Sequence, residues 1–154
     1  MTRTLTLTAA VWRTLRDAAT RALPREIGGL LLGYFTELGP HVVEARVVPD
    51  PRATRIRYQR DAALAERILD SSIRADSTGL VGYLGEWHTH PLPIGPSTTD
   101  INASGRLAKV GGHDIALLVL ATGSRGWIGH ALNLDPAGNM ETLRVHVEGT
   151  GNDG

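Results

Sequence analysis

The chain has 154 residues, of which 42% are hydrophobic and 21% charged, a composition typical of one ordinary globular domain. Basic and acidic residues balance at 16 each and no block of like charge stands out, which argues against a nucleic-acid or membrane partner. The absence of cysteine excludes disulfides, a cysteine nucleophile and thiolate metal ligands. No apolar run has transmembrane length and no signal peptide is recognisable at the start, so we expect a cytoplasmic location.

The first part of the chain predicts a strand, a helix and a hairpin. Thr4–Thr8 alternates leucine with threonine, which is typical of a short strand, and its last residue is suited to cap a helix. Apolar residues at helical spacing then predict a helix that ends before Pro24. The apolar runs Ile27–Phe35 and His41–Val48 predict two strands joined by a turn.

The second part interleaves helices and strands. The predicted order is a short strand at Ile56–Tyr58, a helix at Asp61–Ala75, a strand at Leu80–His88, a helix from Ser97 to about Val110, and strands at Ile115–Ala121, Trp127–Leu134 and Glu141–Val147. This pattern predicts an α/β fold with a single mixed β-sheet flanked by helices on its faces. We expect one domain over residues 1–147 and a flexible glycine-rich tail over 148–154.

The stretch from His88 to Asp100 contains the residues that predict chemistry. In extended backbone, residues two apart face the same side, so His88 and His90 direct both imidazoles towards one metal ion. The loop Pro91–Pro96 turns the chain back, and Asp100 supplies a carboxylate from the first turn of the next helix. Two nitrogens and one oxygen leave a fourth tetrahedral position for water, which is typical of a catalytic zinc site.

Each half of this stretch also has an ordinary structural interpretation. His88-Thr89-His90 fits the end of a strand, and Ser97 with Asp100 fits a helix capping box. The two halves lie within thirteen residues, between a predicted strand and a predicted helix, and this combination favours the metal site. A further carboxylate is needed to move protons between the water and the leaving amine.

These residues resemble the JAMM motif of the JAB/MPN metalloprotease family. His88-Thr89-His90-Pro91 and Ser97-Thr98-Thr99-Asp100 match its two downstream parts. Upstream, Glu26-Ile27-Gly28-Gly29-Leu30-Leu31-Leu32-Gly33 matches the family's glutamate and the glycine-rich strand that follows it. The order of elements agrees over nearly the whole chain. The loop between the downstream parts is one residue shorter than is usual for the family, a change that a Gly/Pro loop readily absorbs.

The resemblance implies an MPN/JAB fold and a role for each motif residue. His88, His90 and Asp100 are implied to bind one zinc ion per chain. Glu26 is implied to hold the attacking water and to act as general base, then as general acid. Ser97 is implied to help hold the oxyanion of the tetrahedral intermediate.

Glu86 is a second candidate for the general base. Strand alternation places it on the same side as His88 and His90. The Glu-Ile-Gly-Gly context favours Glu26, and Glu86 then becomes a supporting or substrate-facing group. Trp87 is expected to face the core. The other histidines have no partner at ligand spacing and are expected at structural or surface positions: His41, His113, His130 and His146.

The residues of the motif are most similar to those of bacterial members of the family. It resembles the subgroup encoded beside ubiquitin-activating-like (E1/E2-type) enzymes in anti-phage operons, to which Tyr58-Gln59-Arg60-Asp61 is also similar. The resemblance implies an isopeptidase that cuts after the C-terminal glycine of a ubiquitin-like or otherwise conjugated protein, with E1/E2-like enzymes as partners. Two alternatives stay open: a hydrolase of small substrates such as sulfur-carrier or cell-wall peptides, and a scaffold module without catalysis. The complete set of motif residues argues against the scaffold.

Overall fold

The computed structural model describes residues 2–149. Its elements are β1 (Thr4–Leu7), α1 (Ala9–Ala22), β2 (Gly28–Thr36), β3 (Gly39–Val47), α2 (Ala62–Ala75), β4 (Gly82–His90), α3 (Thr98–Gly111), β5 (Ile115–Gly123), β6 (Gly126–Leu134) and β7 (Met140–Val147). Of the tail predicted at 148–154, residues 150–154 lie outside the described residues, and that prediction stays untested. Within the described part, no helix is long and apolar enough to cross a membrane.

The strands form one mixed sheet in the order β1-β3-β2-β4-β5-β6-β7. β1 pairs in parallel with both β3 and β7, and this double pairing closes the sheet into a barrel. β4 and β5 are also parallel, and α3 connects them. A parallel pair needs a crossover connection, which α3 provides here. The short loop between His90 and Thr98 keeps the amino end of α3 close to the carboxyl end of β4. The predicted α/β fold with a single mixed sheet is confirmed, and its closure is an addition to that prediction.

The helices cover both faces of the sheet, as predicted. The buried side of α1 packs on one face against a cluster that includes Leu31, Trp87 and Leu118. On the opposite face, Leu30 and Leu32 pack beneath α2, and a second cluster from β5 and β6 lies beneath α3. Each fully buried side chain of this kind stabilises the fold by roughly 1.5–3 kcal/mol. Trp87 faces the core, as expected, and its indole nitrogen donates to the Arg46 carbonyl at 3.1 Å.

The ends of the helices follow the capping residues in the sequence. Thr8 caps α1, with its hydroxyl oxygen accepting from the Val11 N–H at 3.2 Å. α3 ends at Gly112, whose φ of 69° lies in the left-handed region that glycine adopts without strain. The short strand predicted at Ile56–Tyr58 is wrong, because this part of the chain is irregular. There the Thr54 N–H bonds the Arg57 carbonyl at 2.9 Å, so the backbone turns on itself and pairs with no neighbouring strand.

Candidate metal centre

His88 and His90 lie at the carboxyl end of β4, on the face of the sheet that α3 covers. Their β5 partners are Val119 and Ala121, and the intervening Thr89 points the other way and accepts the Ile27 N–H at 3.0 Å. The two imidazole centroids are 5.0 Å apart, and the side chains are only 12% and 8% exposed. The expectation that both rings share one side of the strand is confirmed.

Asp100 reaches the two histidines from the first turn of α3. Its Oδ2 lies 3.1 Å from Nε2 of His88 and 3.2 Å from Nε2 of His90. The Ser97 hydroxyl oxygen accepts from the Asp100 N–H at 3.1 Å, and Asp100 Oδ2 accepts from the Ser97 N–H at 2.8 Å. The capping box predicted from sequence is therefore present, and it orients the same carboxylate towards the imidazoles. The shorter loop Pro91–Pro96 still delivers both residues to the site.

The charges at this centre support one another. Burial alone raises the pKa of the Asp100 carboxyl, but hydrogen bonds with His88 and His90 outweigh it and bring the pKa well below its usual range. The bond to Asp100 likewise raises the pKa of His90, against the opposing effect of burial. Nδ1 of His90 donates to the Ile94 carbonyl at 3.2 Å. A histidine whose Nδ1 is engaged with a carbonyl presents its Nε2 as a metal ligand.

Glu26 approaches the histidines from the segment between α1 and β2. It is 8% exposed, and its backbone N–H donates to the Thr54 carbonyl at 2.8 Å. One carboxylate oxygen of Glu26 and one nitrogen each of His88 and His90 all lie within 4.8 Å of one another. Burial raises the pKa of Glu26, while the neighbouring histidines oppose the shift. A carboxylate with a raised pKa beside a pair of histidines that could hold a metal ion is suited to accept and return a proton.

Glu86 shares the buried side of β4 but faces a different partner. Its carboxylate forms an ion pair with the guanidinium of Arg60, and among the described residues it is not part of the group that could hold a metal ion, which consists of Glu26, His88 and His90. Two residues along a strand correspond to roughly 6.5 Å, which moves Glu86 away from the position that His88 occupies. Alternation therefore predicted the correct side of the strand, but the geometry gives no support to Glu86 as the base.

The donor set fits a zinc ion. Zinc in catalytic sites binds imidazole nitrogen and carboxylate oxygen at about 2.0 Å in tetrahedral geometry, which places neighbouring ligand atoms about 3.3 Å apart. Oδ2 of Asp100 lies at 3.1 and 3.2 Å from the two Nε2 atoms, close to that spacing. Asp100 thus faces both imidazoles at ligand spacing, although the described group whose ligand atoms all lie within 4.8 Å of one another consists of Glu26, His88 and His90 and does not include Asp100. Glu26 supplies a second carboxylate near both imidazoles.

Tyr58 belongs to the wall of the site, although no sequence pattern predicted it there. Its ring stacks on that of His88, with centroids 6.5 Å apart and an interplanar angle of 18°, and its hydroxyl donates to the Val48 carbonyl at 2.8 Å. A Cβ on Gly28 would lie 2.6 Å from the Tyr58 ring and 2.8 Å from the Cβ of His88. Close packing therefore explains this glycine. Tyr58 lies in an irregular segment, where no periodicity could indicate which way it points.

Two of the remaining histidines lie away from this centre, in line with the structural positions expected of them. His41 stacks on Tyr34 with centroids 5.1 Å apart, and His113 packs edge-on against Tyr83 at 6.0 Å. Within residues 2–149, neither belongs to a group of side chains able to hold a metal ion.

Comparisons with known proteins address the family and the fold of the chain. The sequence pattern of the family described as prokaryotic homologs of the JAB domain matches residues 8–131. No curated protein matches the chain. Among solved structures, a protein from Desulfitobacterium hafniense is 19% identical with a TM-score of 0.68, the match covering 94% of this chain and 92% of that one. A Salinibacter ruber protein is 20% identical with a TM-score of 0.61, covering 95% and 93%.

A third solved structure is named for the same domain. It is a JAB1/MPN domain protein from Archaeoglobus fulgidus, 19% identical with a TM-score of 0.52, and the match covers 92% of this chain and 97% of that one. At these identities the structural matches establish the fold, whereas the family pattern extends over most of the sequence and includes all the residues of the candidate centre. The chain belongs to the family of prokaryotic homologues of the JAB domain.

Proposed function

We propose that this protein is a zinc-dependent metallopeptidase that hydrolyses a peptide or isopeptide bond, processing or deconjugating a ubiquitin-like protein after its C-terminal glycine. The observation that carries the proposal is the convergence of two imidazoles and the Asp100 carboxylate within 3.2 Å, beside the second buried carboxylate of Glu26. A structural capping box alone would not require two buried histidines against the same aspartate oxygen.

In this proposal, His88, His90 and Asp100 hold the zinc ion, which when bound polarises the scissile carbonyl and lowers the pKa of water. Glu26 accepts the proton of the attacking water and passes it to the leaving amine, which its raised pKa favours. The Ser97 hydroxyl oxygen accepts the Asp100 N–H, so its own proton is free to bond the oxygen that becomes negative.

The space around the centre favours a polypeptide over a small substrate. A cavity of about 850 Å³ includes His88 and Asp100 in its lining, and a smaller one of about 260 Å³ includes Glu26 and His90. Beyond the smaller one, an apolar cavity of about 770 Å³ is lined by Leu23, Ile56 and Leu92, among others. An extended chain can therefore continue in both directions from the bond that is cut.

The test combines metal analysis with hydrolysis. We expect about one zinc per chain after mild purification, and release of the partner from ubiquitin-like fusions joined through Gly-Gly, stopped by a zinc chelator and restored by zinc. A protein that neither carries nor regains zinc would support the scaffold alternative. Cleavage of short peptides without cleavage of fusions would support the small-substrate alternative.

A further inference from the structure

Although the whole chain has no net charge, it carries a local excess of positive charge beside the candidate centre. Residues 52–60 read Arg-Ala-Thr-Arg-Ile-Arg-Tyr-Gln-Arg, with four arginines and no acidic residue, in a chain whose formal net charge is zero. This arginine segment is also the irregular part of the fold that lies between β3 and α2. Four guanidinium groups thus lie within nine residues. Their position relative to the candidate centre decides whether they have a function.

The arginine segment crosses the mouth of the site and contributes to both cavities there. Arg57 and Arg60 line the larger cavity together with Arg106 of α3. Arg55 and Arg57 line the smaller cavity, which also contains Glu26 and His90. Positive charge therefore lines both cavities that include residues of the candidate centre.

The segment is held in place by bonds to the body of the protein. Its Thr54 carbonyl accepts the Glu26 N–H, its Gln59 N–H donates to Asp50 at 2.9 Å, and Tyr58 bonds the Val48 carbonyl. These bonds fix the backbone from which the arginine side chains extend. A substrate would meet a pre-arranged set of positive charges, and pre-arranged charges lose less freedom on binding.

Most of these guanidinium groups have no acidic partner within the part of the chain that the structure describes. Arg60 is paired with Glu86, and Arg57 donates to the neutral Gln59 side chain at 2.9 Å. Arg55 and Arg106 form no ion pair within residues 2–149. Of the carboxylates that line the same cavities, Glu86 is paired with Arg60 and Asp100 faces the histidines, while Glu26 lines the smaller cavity together with Arg55 and Arg57.

Apolar side chains line the larger cavity between these charges. Such a lining favours a peptide over a small anion as the ligand. Ile56 is 82% exposed and Val110 is 89% exposed at the rim of the larger cavity, and Leu107 also lines it. A cavity of about 850 Å³ is far larger than an inorganic anion needs. The combination suits an extended peptide that carries both acidic and apolar side chains.

We infer that this centre selects a polypeptide with acidic side chains on the residues that flank the bond to be cut, bound by Arg55 and Arg57 in the smaller cavity and by Arg57 and Arg106 in the larger. This inference rests on the proposed hydrolytic function and names the class of its substrate. Complementary charge speeds encounter and rejects chains of the opposite sign, so a basic tail is disfavoured at the same positions.

The experiment measures binding separately from cleavage. Three fluorescent peptides share a central Gly-Gly and differ only in their flanking residues, which are glutamate, glutamine or lysine. Binding to zinc-loaded Glu26→Gln protein is measured by fluorescence anisotropy at low and high salt. We expect the glutamate peptide to bind about tenfold or more tightly than the lysine peptide at low salt, with the difference shrinking as salt screens the charges.

Charge reversal in the cavity supplies the matched comparison. The double variant Arg57→Glu/Arg106→Glu should lose the preference for glutamate, whereas Arg16→Glu, an exposed position on α1 beyond the opposite face of the sheet, should keep it. Circular dichroism confirms that each variant is folded. Equal binding of the three peptides, no binding of any, or no greater loss in the double variant than in Arg16→Glu would overturn the inference. Charge-dependent binding without cleavage by the wild-type protein would instead refute the proposed hydrolysis and leave the charge preference standing.

Discussion

Two buried glutamates distinguish two regions of this molecule, the histidine pair at the end of β4 and the ion pair nearer its middle. Glu26 and Glu86 are both 8% exposed, and both were candidates for the general base. Glu26 lies beside His88 and His90, whereas Glu86 lies against the permanently charged guanidinium of Arg60. Equal burial therefore does not imply an equal role, because the neighbours decide what a carboxylate is available to do.

The pKa shifts of the two glutamates make the same point more sharply. Burial raises the pKa of both, and for Glu86 to about 7, although Arg60 and Tyr83 oppose the shift. A choice made on the pKa alone would favour Glu86, whose value lies near neutrality. Geometry favours Glu26, because proton transfer requires the base within hydrogen-bond reach of the water that it serves.

The largest expected effect comes from removing a ligand in the histidine region. His90→Ala deletes one of the three ligand atoms that converge at 3.1 to 3.2 Å, so we expect loss of bound zinc and of all chelator-sensitive hydrolysis. Zinc content per chain and cleavage of a Gly-Gly fusion check this. His41→Ala, which removes a histidine stacked on Tyr34, serves as the control and should keep both. Full zinc content in His90→Ala would show that the metal is not held at this place.

Glu26→Gln should have the next largest effect. It tests whether Glu26 acts as the general base or as a metal ligand. The amide keeps the shape of the side chain but cannot accept the water's proton, so kcat should fall by about 10²–10⁴-fold with zinc still bound. The measurement is turnover alongside zinc content, with the exposed Glu66→Gln of α2 as a control that should change neither. Loss of zinc in Glu26→Gln would instead assign this carboxylate as a ligand, which its position near both imidazoles makes a direct test.

Ser97 combines a catalytic and a structural contribution that two variants can separate. Both Ser97→Ala and Ser97→Gly remove the hydroxyl, so each should lower kcat by up to about 10²-fold if it bonds the developing oxyanion. Alanine is a poor amino-terminal cap and should cost about 1 kcal/mol of stability, whereas glycine costs only a few tenths. Urea unfolding and turnover are measured on both. Activity that follows stability, low in the alanine variant and normal in the glycine variant, would leave Ser97 with only its capping function.

The sequence predicted the parts of the site that depend on local rules. His88 and His90 follow from strand alternation, and Ser97 and Asp100 from capping chemistry, all within thirteen residues. Glu26 lies more than sixty residues upstream, and no periodicity connects it to the histidines. Its place beside them depends on the pairing of β2 with β4, so only the family resemblance could have pointed to it.

What the sequence did not predict depends on contacts between distant or irregular segments. The closure of the barrel requires β1 to pair with β7, more than 130 residues away, and a four-residue strand carries no signal for its partner. Within the arginine segment, Ile56–Tyr58 predicts a short strand that the structure does not contain. Its own turn at Thr54 and the bond from Tyr58 to Val48 override that local pattern.

The smallest effect is expected from a substitution in the second region, the ion pair between Glu86 and Arg60. Glu86→Gln removes the negative charge opposite Arg60, so the guanidinium is left half-buried beside a neutral amide. We expect the free energy of unfolding at pH 7 to change by no more than about 1 kcal/mol, since a carboxyl pKa raised to about 7 means that the cost of burying the charge already offsets its attraction to Arg60. Zinc content should be unchanged and turnover only slightly reduced, because no ligand atom moves.

Glu26→Gln should differ from Glu86→Gln in turnover rather than in stability. Its carboxylate faces that of Asp100 across the histidines, and removing one of two like charges leaves the stability of the metal-free protein unchanged or slightly higher. Urea unfolding of both metal-free variants, with Glu66→Gln as the exposed control, measures the difference. If Glu86→Gln abolished turnover at full stability while Glu26→Gln unfolded the protein, the two regions would have exchanged roles, with the base at the ion pair and the structural carboxylate beside the histidines.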